Sequence, residues 1–393
     1  MRIVHVITRL IVGGAQENTL LSCRGLAEHG HDVCLLTGPQ TGPEGEMFGA
    51  ARAYGVNLEV LRHLRREVSP VHDPLALVEL VSAFRRLKPQ VVHTHSSKAG
   101  ILGRLAARLA GVRIVVHTIH GLPFFPHQSR LTNGVYLFAE RLAARWADKV
   151  VAVADDMVCQ ARRAELAEAD KFITIRSGLE PEKFRRDSMG DQEVRRRLGI
   201  PNNAFVVGMV ARLAPLKGHK YLLEALEGLM GSQPGLRCLL VGDGILRGEI
   251  ERKIQGSNLA GKVHLTGLIQ PKQVPEMLWA MDMLVHTSLH EGLPRAVVQG
   301  LLAGLPVVAF DLDGAKEVIA DGQNGYLIRP ESVGELQQAI RAVIDGSGTV
   351  KPPSPQQIEE LAQKFSWQVM VEKLEGLYES LREQKRHSRG GSI

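Results

Sequence analysis

Val207-Gly-Met-Val-Ala-Arg212-Leu-Ala-Pro-Leu-Lys217-Gly218-His219 is the stretch on which the reading of this chain turns. The apolar run Phe205 to Val210 predicts a buried strand, and Ala211 to Gly218 predicts a loop feeding a helix. Arg212 and Lys217 then lie at the carboxyl end of a strand, beside a helix N-terminus. Open α/β sheets bind ligands at that edge, and helix N-termini attract phosphate. Two fixed cations in that place suit a pyrophosphate.

Working outward, strand and helix patterns alternate along the whole chain, which predicts α/β domains with parallel sheets. A first series of strands comprises Arg2–Ile7, Asp32–Thr37, Asn57–Leu61, Val91–His95, Ile114–Thr118, Lys149–Ala154 and Phe172–Ile175. After a polar stretch, Arg176 to Asn203, read as linker with a short helix, a second series follows: Phe205–Val210, Leu236–Val241, Val263–Thr266, Met283–Thr287 and Leu305–Phe310. Each series suffices for one doubly wound, Rossmann-like sheet. The expected division is residues 1–177, residues 178–364, a C-terminal helix over 365–384 and a disordered tail over 385–393.

Composition limits the classes. With 393 residues, 44% hydrophobic and 23% charged, the chain reads as globular. No apolar run approaches the length of a membrane span. Met1 to Ile7 is too short and strand-like for a secretory signal, so a cytoplasmic protein is expected. The four cysteines are scattered without CxxC spacing, which predicts reduced thiols and no metal cluster. The net charge is +6, and Val81 to Arg130 holds Arg85, Arg86, Lys88, Lys98, Arg104, Arg108, Arg113 and Arg130 without one acid. No nucleic-acid-binding motif accompanies that charge. An anionic membrane surface or a phosphorylated acceptor fits it better, with Phe124-Phe125-Pro126 nearby.

Three further segments lie at predicted sheet edges. Gly13-Gly14 follows the first strand, where backbone N–H groups can approach an anion; it is not GxGxxG, and no acid ends the second strand, so a nicotinamide cofactor is not expected. His120-Gly121 follows the strand Ile114–Thr118, placing an imidazole at the carboxyl edge, whereas His93, His95 and His117 fall inside strand patterns and read as structural. In His290-Glu291-Gly292-Leu293-Pro294, with Pro294 in the first helical turn, the Gly292 and Leu293 amides suit phosphate and the Glu291 carboxylate suits hydroxyls. Asp311-Leu-Asp313 has the form of a metal-holding triplet, but Arg212 and Lys217 make a cation redundant, so no metal is expected.

Taken in order, these motifs resemble the retaining glycosyltransferases of family 4, which have the GT-B architecture of two Rossmann-like domains facing a central cleft. The resemblance spans nearly the whole chain. It adds His95-Ser-Ser-Lys-Ala-Gly100, Val241-Gly-Asp-Gly244, Ala303-Gly-Leu-Pro-Val-Val308 and Asp321-Gly-Gln-Asn-Gly325 to the segments above. It implies that Arg212 and Lys217 grip the diphosphate of a nucleotide sugar, UDP-linked by preference, with Gly13 and Gly14 approaching from the first domain. Glu291 would bind donor-sugar hydroxyls, and His120 would contact the sugar near the reacting carbon. It further implies retaining transfer of a hexosyl or N-acetylhexosaminyl group to a glycan or polyprenyl-diphosphate-linked acceptor, without cofactor; the basic region Arg85 to Arg130 is expected to dock such an enzyme on the inner leaflet. One position departs from the family, which usually carries a second Glu eight residues after the first to bind ribose; Gln299 stands there. Gln keeps the hydrogen bonds but not their charge assistance, so weaker nucleotide affinity is expected. A nucleotide-sugar epimerase of the same architecture and a non-catalytic glycan- or lipid-carrier-binding protein are the two alternative readings.

Overall fold

The computed structural model describes residues 1–40, 42, 44–186 and 190–390. They form two units, one of residues 1–179 together with 366 onward, the other of residues 180–365.

The first unit runs β1 (Arg2–Arg9), α1 (Gly14–Glu28), β2 (Asp32–Gly38), α2 (Phe48–Ala53), β3 (Asn57–Val60), α3 (His72–Leu87), β4 (Val91–His95), α4 (Ser97–Leu109), β5 (Ile114–Ile119), α5 (Arg130–Ala144), β6 (Lys149–Ala152), α6 (Asp155–Arg163) and β7 (Phe172–Thr174). The strands pair in parallel in the order β3-β2-β1-β4-β5-β6-β7. Helices cover both faces, so β4 and β5 are buried at every residue, including the polar His93, Thr94, His95, His117 and Thr118. The order reverses between β1 and β4, and the crevice at such a reversal is where doubly wound sheets take ligands.

The second unit repeats the plan with α7 (Gly190–Arg197), β8 (Phe205–Val210), α8 (His219–Met230), β9 (Leu236–Val241), α9 (Arg247–Gln255), β10 (Val263–Leu265), α10 (Val274–Trp279), β11 (Met283–His286), α11 (Arg295–Leu302), β12 (Val307–Phe310), β13 (Gly325–Ile328), α12 (Val333–Ile344) and α13 (Pro355–Lys364). Its parallel order is β10-β9-β8-β11-β12-β13, with the reversal between β8 and β11. The doubly wound class expected from the sequence is therefore what both units adopt. β13 is an addition: Gly325-Tyr-Leu-Ile328 is short and follows the turn Asp321-Gly-Gln-Asn324, so it reads as loop until its pairing with β12 is seen. Part of the stretch read as linker is anchored, since Arg195 of α7 donates to Ala204 O and Ala280 O and pairs with Asp282 at 2.8 Å.

The last helix, α14 (Trp367–Gly390), belongs to the first unit. It buries Met370, Val371, Leu374, Leu377, Tyr378 and Leu381 against β1 and α1 residues such as Ile3, Ile7, Leu20 and Leu21. Helix continues through residues 385–390, where a disordered tail was expected. Lys385 there pairs with Asp148 at 2.6 Å, a tertiary contact that the polar composition of the tail does not announce. Residues 391–393 of that tail lie outside the described residues.

Candidate functional site

At the switch point of the second unit, β8 and β11 carry their loops side by side. Pro215–Lys217 form one 3-10 turn and Gly218, at φ 71°, passes the chain into α8. A Cβ on Gly218 would stand 2.0 Å from the Thr287 carbonyl oxygen, so only glycine fits both the backbone and the space. Thr287 Oγ1 donates back to Gly218 O at 3.0 Å, and the Leu289 amide donates to Leu216 O at 2.8 Å. On the other side the Leu213 amide donates to Asp243 O at 3.0 Å, tying the same loop to the one after β9. Lys217 is thus presented by a loop held from both flanks.

Its Nζ meets Glu291 Oε1 at 2.5 Å, and His286 Nε2 lies 3.4 Å from the same oxygen. Burial would raise the Glu291 pKa, but the Lys217 ammonium and His286 outweigh it and hold the carboxyl well below its usual range. Glu291 is therefore a carboxylate at neutral pH. Asp313, at φ 52°, accepts the Glu291 amide at 2.6 Å and so fixes that loop. One carboxylate of the metal-like triplet is thereby committed to shaping the site. Arg212 is exposed and makes no ion pair or side-chain hydrogen bond among the described residues. The two cations that look alike in sequence are unlike in structure: one is locked to a carboxylate, the other is uncommitted. Gly292 and Leu293 follow Glu291, and Pro294 caps α11 instead of occupying its first turn, with Gln299 buried farther along it. Sequence reasoning passed over His219, the first residue of α8, buried with Nδ1 unpartnered and its pKa lowered by burial, then by Lys217 and His286, to about 4.

At the first unit's switch point the groups are imidazoles. His120 follows β5, half-buried, and its Nε2 lies 3.1 Å from His95 Nδ1. His95 ends β4, and its Nε2 lies 2.9 Å from Nδ1 of His5 on β1. His93 spans Tyr378 OH at 2.5 Å and Thr118 Oγ1 at 2.6 Å, while His117 reaches Thr94 Oγ1 at 2.9 Å. Of the three imidazoles read as structural, His95 needs correction, because it touches the candidate residue His120. Spacing along one strand cannot show contacts across three. Burial lowers the pKa of His5 to about 3 and sets His93, His95 and His117 well below the usual value, with neighbouring cationic forms adding to it for the last three. Ring nitrogens of His5, His93 and His95 come within 4.8 Å of one another, yet both nitrogens of His93 already hydrogen-bond elsewhere and His5 and His95 bond each other. Those bonds make the cluster a hydrogen-bonded network. Gly13 has φ 175°, extended backbone open to any residue, so the paired glycines are not demanded by conformation.

The basic segment also needs correction. Arg104 is 0% exposed and pairs at 2.6 Å with buried Glu140 of α5; Lys98 pairs with Asp73, and Arg86 with Glu59 at 2.6 Å. Arg85, Lys88, Arg108, Arg113 and Arg130 remain exposed. What the sequence reading missed lies on α5: Leu131 is 80% exposed and Phe138 70%, with Val135 and Leu142 exposed on the same stripe.

Known proteins bear on this geometry. Residues 190–365 match the family of glycosyl transferases group 1, and residues 13–178 match the glycosyl transferase 4-like domain. An Escherichia coli UDP-Gal:alpha-D-GlcNAc-diphosphoundecaprenol alpha-1,3-galactosyltransferase is 30% identical over 351 residues, covering 88% of this chain and 88% of that protein. A 2-deoxystreptamine glucosyltransferase of Streptomyces kanamyceticus is 27% identical over 300 residues, covering 74% of this chain and 77% of that one. Among solved structures, Anabaena HepE in complex with UDP and glucose superposes with a TM-score of 0.82 at 23% identity, covering 97% of this chain and 100% of that one. Sequence and fold agree: the chain belongs to the group 1 glycosyltransferases, enzymes of the GT-B architecture.

Proposed function

We propose that this enzyme transfers a hexosyl or N-acetylhexosaminyl group, with retention, from a UDP-sugar to a lipid-diphosphate-linked glycan in polysaccharide or cell-envelope synthesis. The observation that carries the reading is the Lys217–Glu291 pair at the β8/β11 switch point, with exposed Arg212 earlier in the same loop as Lys217. Breaking the bond from the anomeric carbon to the diphosphate oxygen moves negative charge onto the leaving group. Lys217, held in place by Glu291 before any donor arrives, and Arg212 stabilise that growing charge more than the ground state. The other Glu291 oxygen accepts from a sugar hydroxyl, and Gly292 and Leu293 amides donate to phosphate. Gly13 and Gly14 N–H groups approach the donor phosphate, His120 bonds the sugar near the reacting carbon, and Gln299 bonds ribose. The acceptor oxygen bonds the anomeric carbon on the face the diphosphate leaves, and its proton passes to the departing phosphate oxygen. No metal or other cofactor takes part in this scheme. The relative that acts on GlcNAc-diphosphoundecaprenol and the neighbour solved with UDP and glucose support the choice of acceptor and nucleotide.

A donor panel tests this: nucleotide diphosphate release is measured with and without GlcNAc-diphosphoundecaprenol. Release that depends on acceptor is expected. Turnover of donor without acceptor would make the protein an epimerase, and binding without turnover a carrier-binding protein.

The same reading places the enzyme on an anionic lipid surface at the cytoplasmic leaflet. Among the described residues no helix is long and apolar enough to cross a membrane. Helix α5, however, carries the exposed stripe Leu131, Val135, Phe138 and Leu142 with exposed Arg130 and Arg141, and exposed Arg145 caps its end, while Glu140, the one acid in its sequence, is buried. Apolar and cationic groups on one exposed helix are the composition that binds anionic interfaces. Flotation with vesicles should recover the protein on anionic lipid and lose it for Phe138→Glu. Equal recovery on neutral and anionic vesicles at low salt would refute the assignment.

A further inference from the structure

We propose that His5 and His95 are positioning residues that set the tautomer of His120, so that His120 presents Nδ1–H as a hydrogen-bond donor. The proposal rests on the reading of His120 as a sugar contact, and deepens it.

The three rings come from adjacent strands of one sheet. β1, β4 and β5 are neighbours, His5 stands in register with His93, and His95 lies two residues on, facing the same side as His93. The contacts run in one line: His5 Nδ1 to His95 Nε2 at 2.9 Å, then His95 Nδ1 to His120 Nε2 at 3.1 Å. Ring centroids are 5.2 Å apart at the first step and 5.3 Å at the second. Ser96, immediately after His95, has φ 62° and ψ 157°, a region almost reserved for glycine. Its hydroxyl meets Thr8 Oγ1 at 2.8 Å, so the turn that holds His95 is fixed from β1 as well.

The direction of the line follows from its inner end. His5 is fully buried, and its Nε2 has no hydrogen-bond partner. Burial also keeps His5 neutral, so one of its nitrogens carries a proton and the other does not. An orphaned N–H is rarer and dearer in a protein interior than an orphaned lone pair. The proton therefore sits on Nδ1 of His5 and points at His95 Nε2. Neutral His95 must then carry its proton on Nδ1, aimed at His120 Nε2. With Nε2 accepting, His120 carries its proton on Nδ1. Reversing the line would require all three tautomers to change and would bury an unpaired N–H on His5. The fold thus biases a group several ångströms away through two neutral rings, and the far end of the line is the sugar contact.

Full-length protein labelled with nitrogen-15 in histidine tests this by two-bond proton–nitrogen correlation, with the His120 signals assigned by their loss in His120→Gln. The expected spectrum has Nδ1 of His120 protonated and Nε2 bare. In His5→Leu, which removes the first donor, His120 should show mixed tautomers. kcat should fall about tenfold, the worth of one neutral hydrogen bond, with donor KM within about twofold. His5→Asn places an amide N–H where Nδ1–H stood, and should restore both the single tautomer and kcat to within about threefold. A wild-type spectrum with Nε2 protonated overturns the proposal, as does His5→Leu with unchanged tautomer or His5→Asn no better than His5→Leu. The spectrum needs no turnover, so it judges the relay even if no donor or acceptor is found. Conversely, full activity in His120→Gln alongside the expected tautomer would refute the sugar contact and leave the relay standing.

Discussion

The two sheets reverse direction at equivalent places, yet they furnish those places with opposite chemistry. Between β8 and β11 the groups are charged: Lys217, Glu291 and exposed Arg212. Between β1 and β4 they are buried neutral imidazoles, His5 and His95, joined to half-buried His120 after β5. Topology chooses where a ligand can sit, and side chains choose what it can be. A charged switch point suits the part of a reaction in which charge develops; a neutral, directional one suits recognition of hydroxyls.

The contrast is easiest to break with acid. A buried histidine with a lowered pKa stays neutral in the folded chain, while its unfolded form takes a proton below about pH 6.5. Its contribution is complete above that pH and is lost as pH falls toward the folded value, at about 1.4 kcal/mol per unit for each such group. The first unit has His5, His93, His95 and His117 in this condition; the second has His219 and, more weakly buried, His264. Glu291 runs the other way: its depressed pKa gives stability that is present above about pH 4.5 and is lost only in stronger acid. Hydrogen exchange followed by mass spectrometry at pH 7 and pH 5 should therefore show protection lost first in β1, β4 and β5. Equal loss in both sheets would mean that the imidazoles are already charged in the folded protein.

Next in size is the charged end itself. Lys217→Ala should lower kcat by about 10²- to 10³-fold, because a preorganised donor is lost where charge develops. Arg212→Ala should raise donor KM as well, since its exposed side chain carries no prior commitment within the protein. Steady-state kinetics on the best donor separates the two. A Lys217→Ala enzyme with unchanged kcat would remove the diphosphate from this switch point. Gly218→Ala tests the scaffold beneath it. A methyl group 2.0 Å from the Thr287 oxygen, on a backbone at φ 71°, should cost roughly 1–3 kcal/mol in urea unfolding and displace Lys217.

How far these features can be read in advance depends on how local their causes are. The run Phe205–Val210 and the glycine at 218 announce a strand, a turn and a helix start within fourteen residues, and the parallel order follows from alternation. Arg104 shows the limit. It lies among seven other cations in sequence and reads as surface, yet Glu140, 36 residues on, draws it into the interior. The α5 stripe misleads in the opposite sense: Leu131, Val135, Phe138 and Leu142 have the spacing of a core face, but all four are exposed. The line His5–His95–His120 depends on three strands being neighbours, and the bond from the Glu291 amide to Asp313 joins two loops 22 residues apart. Apart from that exposed stripe, each missed feature is a contact distant in sequence.

The smallest effect expected is at Gln299. It sits on α11, eight residues beyond Glu291 and 8% exposed, so any polar partner it finds is bound in a site poor in water. A neutral amide bonds a pair of ribose hydroxyls about half as strongly as a carboxylate does. Gln299→Glu should therefore tighten UDP binding by about three- to tenfold, as calorimetry would read it, provided the added charge is repaid by two hydroxyls. With 2′-deoxy-UDP the gain should shrink, because one of those hydroxyls is gone. A gain that is the same for both nucleotides would mean that Gln299 acts on the fold of α11 and does not touch ribose; weaker binding of both would mean that the diphosphate lies close enough to repel the new carboxylate, drawing the charged switch point tighter than its ligand-free geometry implies.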